Sequence, residues 1–345
     1  MINKNKLVIY LTYDGLLEPL GLSQILPYLI EIRKKHNLKI ISFEKKINLN
    51  STNLIKIKKT FKEKNINWKI IKYEKKIYFM FNFLNILFLN LYLLYLSFRN
   101  KNIIFHLRSY IPFFFILLLS LIKKTNYIFD MRGFWIQEKI DRNGWSKNSK
   151  ILKILNLFEK KIILNASKIM CLTNDSIDYL KIKYPSVNHN KYICIRTAVD
   201  QNKFHYVQKD INYNNLIFCY LGTTIGAYDF NNTIEIFSNI KQRLIGSKIK
   251  IISKDSKNNI LKFIKKSNLT KDDYEILDIN SDDVYKELND IDIGIFSLKK
   301  NLSIKASFPT RIAEFLICNK PIICNYFNED ILNVISDGRG LIIEN

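Results

Sequence analysis

Short runs rich in Ile, Leu, Val, Tyr and Phe alternate with helical stretches along nearly the whole chain, and after a polar interval the alternation begins again. Strand-helix-strand repetition favours parallel strands, because a parallel pair needs a long crossover and a helix supplies one. In the first half the strand-like runs are Leu7 to Leu11, Lys39 to Phe43, Trp68 to Tyr73, Ile103 to His106, Tyr127 to Asp130, Lys168 to Leu172 and Tyr192 to Arg196. Between them, Ser23 to His36, Met80 to Arg99, Pro112 to Lys123, Lys150 to Asn165 and Asp175 to Tyr184 carry helical periodicity. The second half repeats the scheme with strands Leu216 to Leu221, Lys248 to Ser253, Tyr274 to Leu277, Ile291 to Phe296, Pro321 to Cys324 and Gly340 to Ile343. At 345 residues the chain exceeds one ordinary core. The reading is therefore two doubly wound α/β domains, residues 1–200 and 216–345, joined by a linker over 201–215. Sheets of this kind bind ligands beyond the carboxyl ends of their strands, and a cleft between the two halves is the expected site.

Composition limits the partners. With 48% hydrophobic and 25% charged residues the chain is globular rather than disordered. Its net charge of +23 comes from lysines scattered everywhere, with no reader motif beside them, so nucleic acid is set aside and attraction to anionic lipid is favoured. Against that background Arg108, Arg132 and Arg311 stand out, because each falls in a motif where a planar fork of donors would matter. Cys171, Cys194, Cys219, Cys318 and Cys324 are odd in number, without paired spacing and mostly in apolar runs, as reduced core residues would be. A signal-peptide core is not found at the start, so a cytoplasmic protein is expected. Ile77 to Phe98 approaches the length of a membrane span but carries Asn82, Asn85 and Asn90, which suits a helix on a sheet better than a lone span. Ile111 to Ile122 is too short to span. Lysine-flanked, Ile77 to Ile122 is where peripheral membrane contact is expected, at the inner face of the cell membrane.

The strand ends carry the chemistry. Ser307 to Leu316 follows an apolar strand and reads as a helix start in which Ser307, Pro309, Thr310 and Arg311 favour an anion, with Glu314 a turn further on to accept from hydroxyls attached to it. Thr12 to Gln24, with Gly15 and Gly21, is a long strand-to-helix loop that is not the Gly-x-Gly-x-x-Gly of dinucleotide folds. His106 to Tyr110 and Asp130 to Trp135, followed by Glu138, end two consecutive strands with polar and cationic groups. Tyr220 to Asp229 repeats the strand-loop-helix theme, and its Gly222 amide and Thr223 hydroxyl suit a diphosphate. Asp290 and Asp292 read as a helix end and a strand start rather than a metal pair, and the Asp272-Asp273 and Asp282-Asp283 pairs as helix-start charges. The four histidines and five cysteines supply no metal set, so no bound metal is expected.

Taken together, Asp14 to Gln24, His106 to Tyr110, Asp130 to Trp135, Gly222 to Tyr228 and Ser307 to Leu316 resemble the family 4 glycosyltransferases of GT-B architecture, in the branch that builds capsular and other surface polysaccharides. The resemblance spans essentially the whole chain. It implies two Rossmann-like domains facing a cleft, and transfer of a hexosyl-type sugar from a UDP- or GDP-linked donor to a polysaccharide or lipid-linked oligosaccharide, with retention of configuration and no cofactor or obligatory metal. Carried over, Glu314 is similar to the glutamate on the donor ribose, and Ser307, Thr310 and Gly222 to donor phosphate contacts. Gly21 is similar to the glycine that approaches those phosphates, and His106 to a histidine near the transferred sugar. The same resemblance places Arg132 near the leaving diphosphate or acceptor, with Glu18, Arg108, Asp130 and Glu138 on the acceptor side. The chain departs from the family at Ala306, where a first carboxylate is common, at Thr223, Thr224 and Tyr228, where Arg and Lys are usual, and in ending at Asn345, before the usual final helices. Two rivals remain: a nucleotide-sugar 2-epimerase of related fold, and a degenerate member that binds nucleotide or a partner transferase without turnover.

Overall fold

The computed structural model describes residues 3–73, 80–146, 148–280 and 283–343. The expectations attached to Ile77 to Phe79, to Asp282 and to the ending at Asn345 lie outside the described residues. The chain divides into two compact units, the first of Met1–Gln137, Trp145–Leu172 and Ser176–Ile195, the second of Glu138–Gly144, Thr173–Asp175 and Arg196–Asn345.

The first sheet contains β1 (Asn3–Thr12), β2 (His36–Lys45), β3 (Asn67–Tyr73), β4 (Ile103–Arg108), β5 (Tyr127–Asp130), β6 (Lys168–Cys171) and β7 (Tyr192–Cys194). Their order is β3-β2-β1-β4-β5-β6-β7, and every pair is parallel. Helices α1 (Leu26–Lys35), α2 (Thr52–Glu63), α3 (Met80–Arg99), α4 (Leu117–Ile122), α5 (Trp135–Asn143), α6 (Lys150–Asn165) and α7 (Asn174–Lys183) lie between these strands in sequence. Central strands covered on both faces lose their alternation, which is why Val8 to Leu11 is a continuous apolar run, all of it buried. The second sheet, also parallel, contains β8 (Ile217–Leu221), β9 (Lys248–Ile252), β10 (Tyr274–Leu277), β11 (Ile293–Phe296), β12 (Ile322–Asn325) and β13 (Gly340–Ile343) in the order β10-β9-β8-β11-β12-β13. It is served by α8 (Phe230–Arg243), α9 (Lys257–Ile264), α10 (Val284–Asp290), α11 (Thr310–Ile317) and α12 (Glu329–Ile335). In each sheet the strand order reverses beside its first strand, between β1 and β4 and between β8 and β11. Loops leaving adjacent strands there diverge and open a crevice.

Several details differ from expectation. The helix expected from Ser23 begins instead as a π-turn, Gly21–Ile25, and His36, expected to close it, already starts β2. Arg33 holds that sharp exit by donating to the carbonyls of His36, Lys64 and Asn65. The run after Pro112 winds first as a 3-10 turn, Ile111–Ile116, which buries Pro112, Phe113, Phe115 and Ile116. Asp273 does not start a helix; it accepts from the Thr270 amide at 2.7 Å and pairs with Lys241 at 2.7 Å, closing a turn before β10. The unforeseen α2 fully buries only Ile57 and Phe61, so its lysines mask the period. Residues 201–215 belong to the second unit, held in part by Lys209, which donates to Asp290 O at 2.5 Å and Asp292 Oδ1 at 2.8 Å. Asp292 also accepts from Ile217 N, as a strand-start residue does.

Among the described residues no helix is long and apolar enough to cross a membrane. Asn90, buried on α3, spends its amide on backbone, donating to Ile86 O and Phe114 O and accepting from Leu118 N. All five cysteines are free.

Candidate functional site

In the first unit, parallel register sets Thr12, Arg108 and Asp130 side by side at the ends of β1, β4 and β5. The loop leaving β1 is stiffened from below by Glu44, which accepts from Leu16 N at 2.7 Å, Leu17 N at 3.2 Å and Ser42 Oγ at 2.6 Å. Burial pushes this carboxyl above the usual range, and those three donors partly offset it. A Cβ on Gly15 would lie 2.6 Å from Glu44 Oε2, and one on Gly21 would lie 2.1 Å from the Gly15 carbonyl. Gly21 therefore lets the π-turn close onto its own loop. Glu18 is paired with Lys45 at 2.8 Å.

The π-turn delivers Gln24, whose Oε1 accepts from Arg108 Nη2 and from Arg132 Nη2, each at 3.1 Å. Arg108 also reaches Asp14 Oδ2 at 3.3 Å and stands 3.9 Å from Asp130 Oδ2, while Arg132 Nη1 is 3.8 Å from Asp130 Oδ1. Burial alone would raise the Asp130 carboxyl, but Arg132, His106 and Arg108 outweigh it and hold the group below the ordinary carboxylate range. Burial lowers Arg132, with Arg108 adding to the effect and Asp130 opposing it. Ser109 and Arg132 both have left-handed backbone, at φ 66° and 56°, a conformation that non-glycine residues adopt at a cost and that clusters at functional sites. His106 is buried, with a side chain 2% exposed, its ring 4.8 Å from Tyr10 and 5.6 Å from Tyr28, and its Nε2 3.5 Å from Asp130 Oδ2. That separation is long for a hydrogen bond, and both His106 Nε2 and the Tyr10 hydroxyl are buried without a partner. Asp14 and Arg132 are 42% and 19% exposed at their side chains, and Gln24 is also partly exposed, so this cluster reaches the surface. Glu138 sits on α5, 3.5 Å from Arg142, in a stretch that belongs to the second unit.

In the second unit, β8 runs into a loop whose Gly222 has φ 116°. Asp255, just beyond β9, accepts from Thr224 N at 2.6 Å, Thr224 Oγ1 at 2.7 Å and Thr223 Oγ1 at 3.0 Å. The Thr223 hydroxyl is thus engaged by a carboxylate. The α11 helix begins at Thr310 with Pro309 in the cap position and no side-chain cap. The Ser307 hydroxyl makes only a 3.5 Å contact to Ser303 O, while its carbonyl accepts from Asn328. An uncapped start keeps the positive end of the helix available to an anion. Close approach of α11 to the sheet is allowed by Gly294, where a Cβ would lie 2.6 Å from the Phe315 ring.

Arg311 folds back over the end of the sheet. Its guanidinium carbon is 3.8 Å from the Tyr228 ring centre, 4.9 Å from Tyr220 and 5.4 Å from Phe296. A Cβ on Gly222 would fall 2.2 Å from Arg311 Nη2, so the glycine makes room for the guanidinium. Tyr228 is fixed by an antiparallel bridge to Leu298, and the Tyr220 hydroxyl donates to Thr223 O. Arg311 is 5% exposed and its Nη1 has no partner. Burial opposes this cation, but Tyr228, Tyr220 and Glu314 outweigh it and hold the pKa above its ordinary value. Glu314, one turn along α11, is partly buried, and burial pushes its carboxyl up to about 7, against the pull of Arg311 and Lys203. Ala306 is buried. Among the described residues no cluster of His, Cys, Asp or Glu is arranged to hold a metal.

Glu44, Gln24, Asp255 and the Tyr220 and Tyr228 rings were not singled out from sequence as site residues. The signal for Glu44 and Asp255 is a lone carboxylate closing an apolar strand that flanks a glycine loop.

No protein-family model and no curated protein sequence matches the chain. Solved structures do: the fold is the two-unit α/β fold of GT-B glycosyltransferases. A glycosyltransferase from Rickettsia africae ESF-5 is 15% identical, with a TM-score of 0.69 over 99% of this chain and 84% of that one. Sucrose-phosphate synthase from Thermosynechococcus elongatus is 11% identical, with a TM-score of 0.69 over 98% and 86%. A variant of S. aureus TarM in complex with fondaparinux, α-GlcNAc-glycerol and UDP is 14% identical, with a TM-score of 0.64 over 99% and 90%.

Proposed function

We propose that this chain is a retaining glycosyltransferase that moves a hexose from a UDP- or GDP-linked donor to a polysaccharide or lipid-linked oligosaccharide, working in the cytoplasm. One observation carries the reading. In the second unit a buried Arg311 with an unpartnered Nη1 lies under Gly222 at the uncapped start of α11, and the partly buried carboxyl of Glu314 follows on the same helix. A ring-caged cation with one unpartnered Nη, helix amides and a carboxylate in this order suit a diphosphate followed by ribose hydroxyls. The likeness to TarM, seen with UDP, supports the nucleotide, and the sugar-transfer enzymes among the structural neighbours support the reaction class.

In the reaction, the bond from the anomeric carbon to the diphosphate breaks, that carbon bonds to the acceptor oxygen, and the acceptor proton passes to the departing diphosphate. Charge develops on the diphosphate, and Arg311, the α11 amides and the Gly222 loop meet it without reorganising. On the acceptor side, Arg132 and Asp14 offer a cation and a carboxylate at the surface of the first unit, with Arg108, Gln24, Asp130 and His106 as the scaffold that aims them. His106, buried behind Asp130, acts in this reading through that carboxylate.

The test incubates the purified chain with a panel of radiolabelled nucleotide sugars and membrane extract, with and without EDTA. Transfer of label to a glycan or lipid is the expected outcome, and Glu314→Ala should weaken UDP or GDP binding by about 1 to 3 kcal/mol. Isomerised donor in place of transfer would establish the epimerase reading, and nucleotide binding without turnover a degenerate member. Unchanged nucleotide affinity in Glu314→Ala would remove the ribose assignment.

A further inference from the structure

Three neighbouring helices of the first unit leave apolar stripes uncovered. On α3 the exposed residues are Leu84, Phe88, Leu91, Tyr95 and Phe98, spaced four, three, four and three apart, which is one continuous helical face. Phe88 and Phe98 are 65% and 64% exposed. The α4 helix adds Leu121 and Ile122, and α6 adds Ile151, Ile154 and Leu157, the last 69% exposed. Contacts tie the three together: Asn90 of α3 bonds to Phe114 O and Leu118 N, and Phe114 stacks on Phe158 of α6 at 4.2 Å. A soluble protein seldom leaves so many large apolar side chains clustered without a partner.

Charge says which partner. From Met80 through Asn126 the chain has no acidic residue, and the one carboxylate of α6, Glu159, is buried in hydrogen bonds with Tyr110, Tyr184 and Lys183. Cations instead border the stripes. Arg99 lies 5.3 Å from the centre of the Tyr95 ring and Lys123 5.6 Å from that of Phe98, and Lys150, Lys153, Lys160 and Lys161 are exposed along α6. Long cationic side chains around an apolar band can insert their stems and keep their heads among phosphates.

We infer that this face seats the protein on a bilayer bearing anionic lipid, with the α3 stripe in the headgroup boundary and the α6 lysines against the lipid phosphates. A second protein would satisfy the apolar stripes, but it would not need an acid-free border on all three helices. The inference is independent of the transferase reading, since it rests on a surface that reading does not use.

The test is co-sedimentation of the full chain with vesicles of phosphatidylcholine alone or mixed with phosphatidylglycerol, at low and high salt. Binding should require phosphatidylglycerol and weaken with salt. Phe88→Ser with Leu91→Ser should lower it at least tenfold, and Lys150→Glu with Lys153→Glu by roughly fivefold per charge. Thermal melting confirms that each variant is folded, and unchanged UDP binding separates loss of this surface from any fault in the nucleotide site. Equal sedimentation with both lipids, none with either, or a wild-type dimer that Phe88→Ser with Leu91→Ser turns into monomer would each overturn the inference, the last in favour of a second copy.

Discussion

Replacing Glu314 by Gln tests the electrostatics of the proposed nucleotide site. Burial raises this carboxyl from an ordinary 4.5 to about 7 in the folded chain. At pH values between those two figures the folded state holds a proton that the unfolded state has released, so stability falls as pH rises and the full penalty is reached above about pH 7. At ~1.36 kcal/mol per pH unit the gap corresponds to roughly 3 kcal/mol, and water at a partly exposed carboxyl brings it nearer to about 2 kcal/mol. Gln has the same shape and no titration. Urea unfolding of wild type and Glu314→Gln at a series of pH values should therefore show the variant gaining about 2 to 3 kcal/mol relative to wild type between pH 4.5 and 8. The same ionisation makes Glu314 a better acceptor, so wild-type affinity for UDP or GDP should climb through pH 7 while that of the variant should not. A stability difference that stays flat across this range would refute the argument, because it would mean that the carboxyl is not desolvated.

Other substitutions probe the supports. Gly222→Ala adds a Cβ 2.2 Å from Arg311 Nη2 at a backbone φ of 116°, and should lower the melting temperature with a loss of about 1 to 3 kcal/mol; an unchanged melt would mean Arg311 is not held there. Asp130→Asn leaves Arg108 and Arg132 facing an uncharged amide, and denaturant unfolding should show a loss of about 3 to 5 kcal/mol at neutral pH. Glu44→Gln turns an NH2 group towards at least one of the donors Leu16 N, Leu17 N and Ser42 Oγ, at a cost of about 1 to 3 kcal/mol, and amide exchange at Leu16 and Leu17 should quicken.

Much of the fold was legible because its signals are local. The run Leu216 to Leu221 is apolar wherever it is read, and it forms β8 within a residue of its expected start. The exceptions have particular causes. Only two residues of α2 are buried, so there is little periodicity to detect, and the π-turn closes against the Gly15 carbonyl because Gly21 has no Cβ to hold it off. The site was legible as positions more than as roles. Arg311 looked like a cation on a helix start, but where its side chain goes depends on Tyr228, which is far away in sequence and is brought beneath it by the bridge to Leu298. Thr223 looked like a phosphate ligand, and its hydroxyl is occupied by Asp255.

The division has a physical basis. Hydrophobic period and turn chemistry act over a few residues, so the chain by itself determines the strands, the repetition of one α/β scheme, and the glycine loops and helix start that follow certain strands. Contacts between strand ends depend on strand order, which no short stretch encodes. Only the tertiary structure sets Glu44 beneath the loop after β1, Asp255 beneath the loop after β8, Gln24 between two arginines, and Arg311 in a cage of rings, because each of these side chains meets partners delivered by another part of the chain.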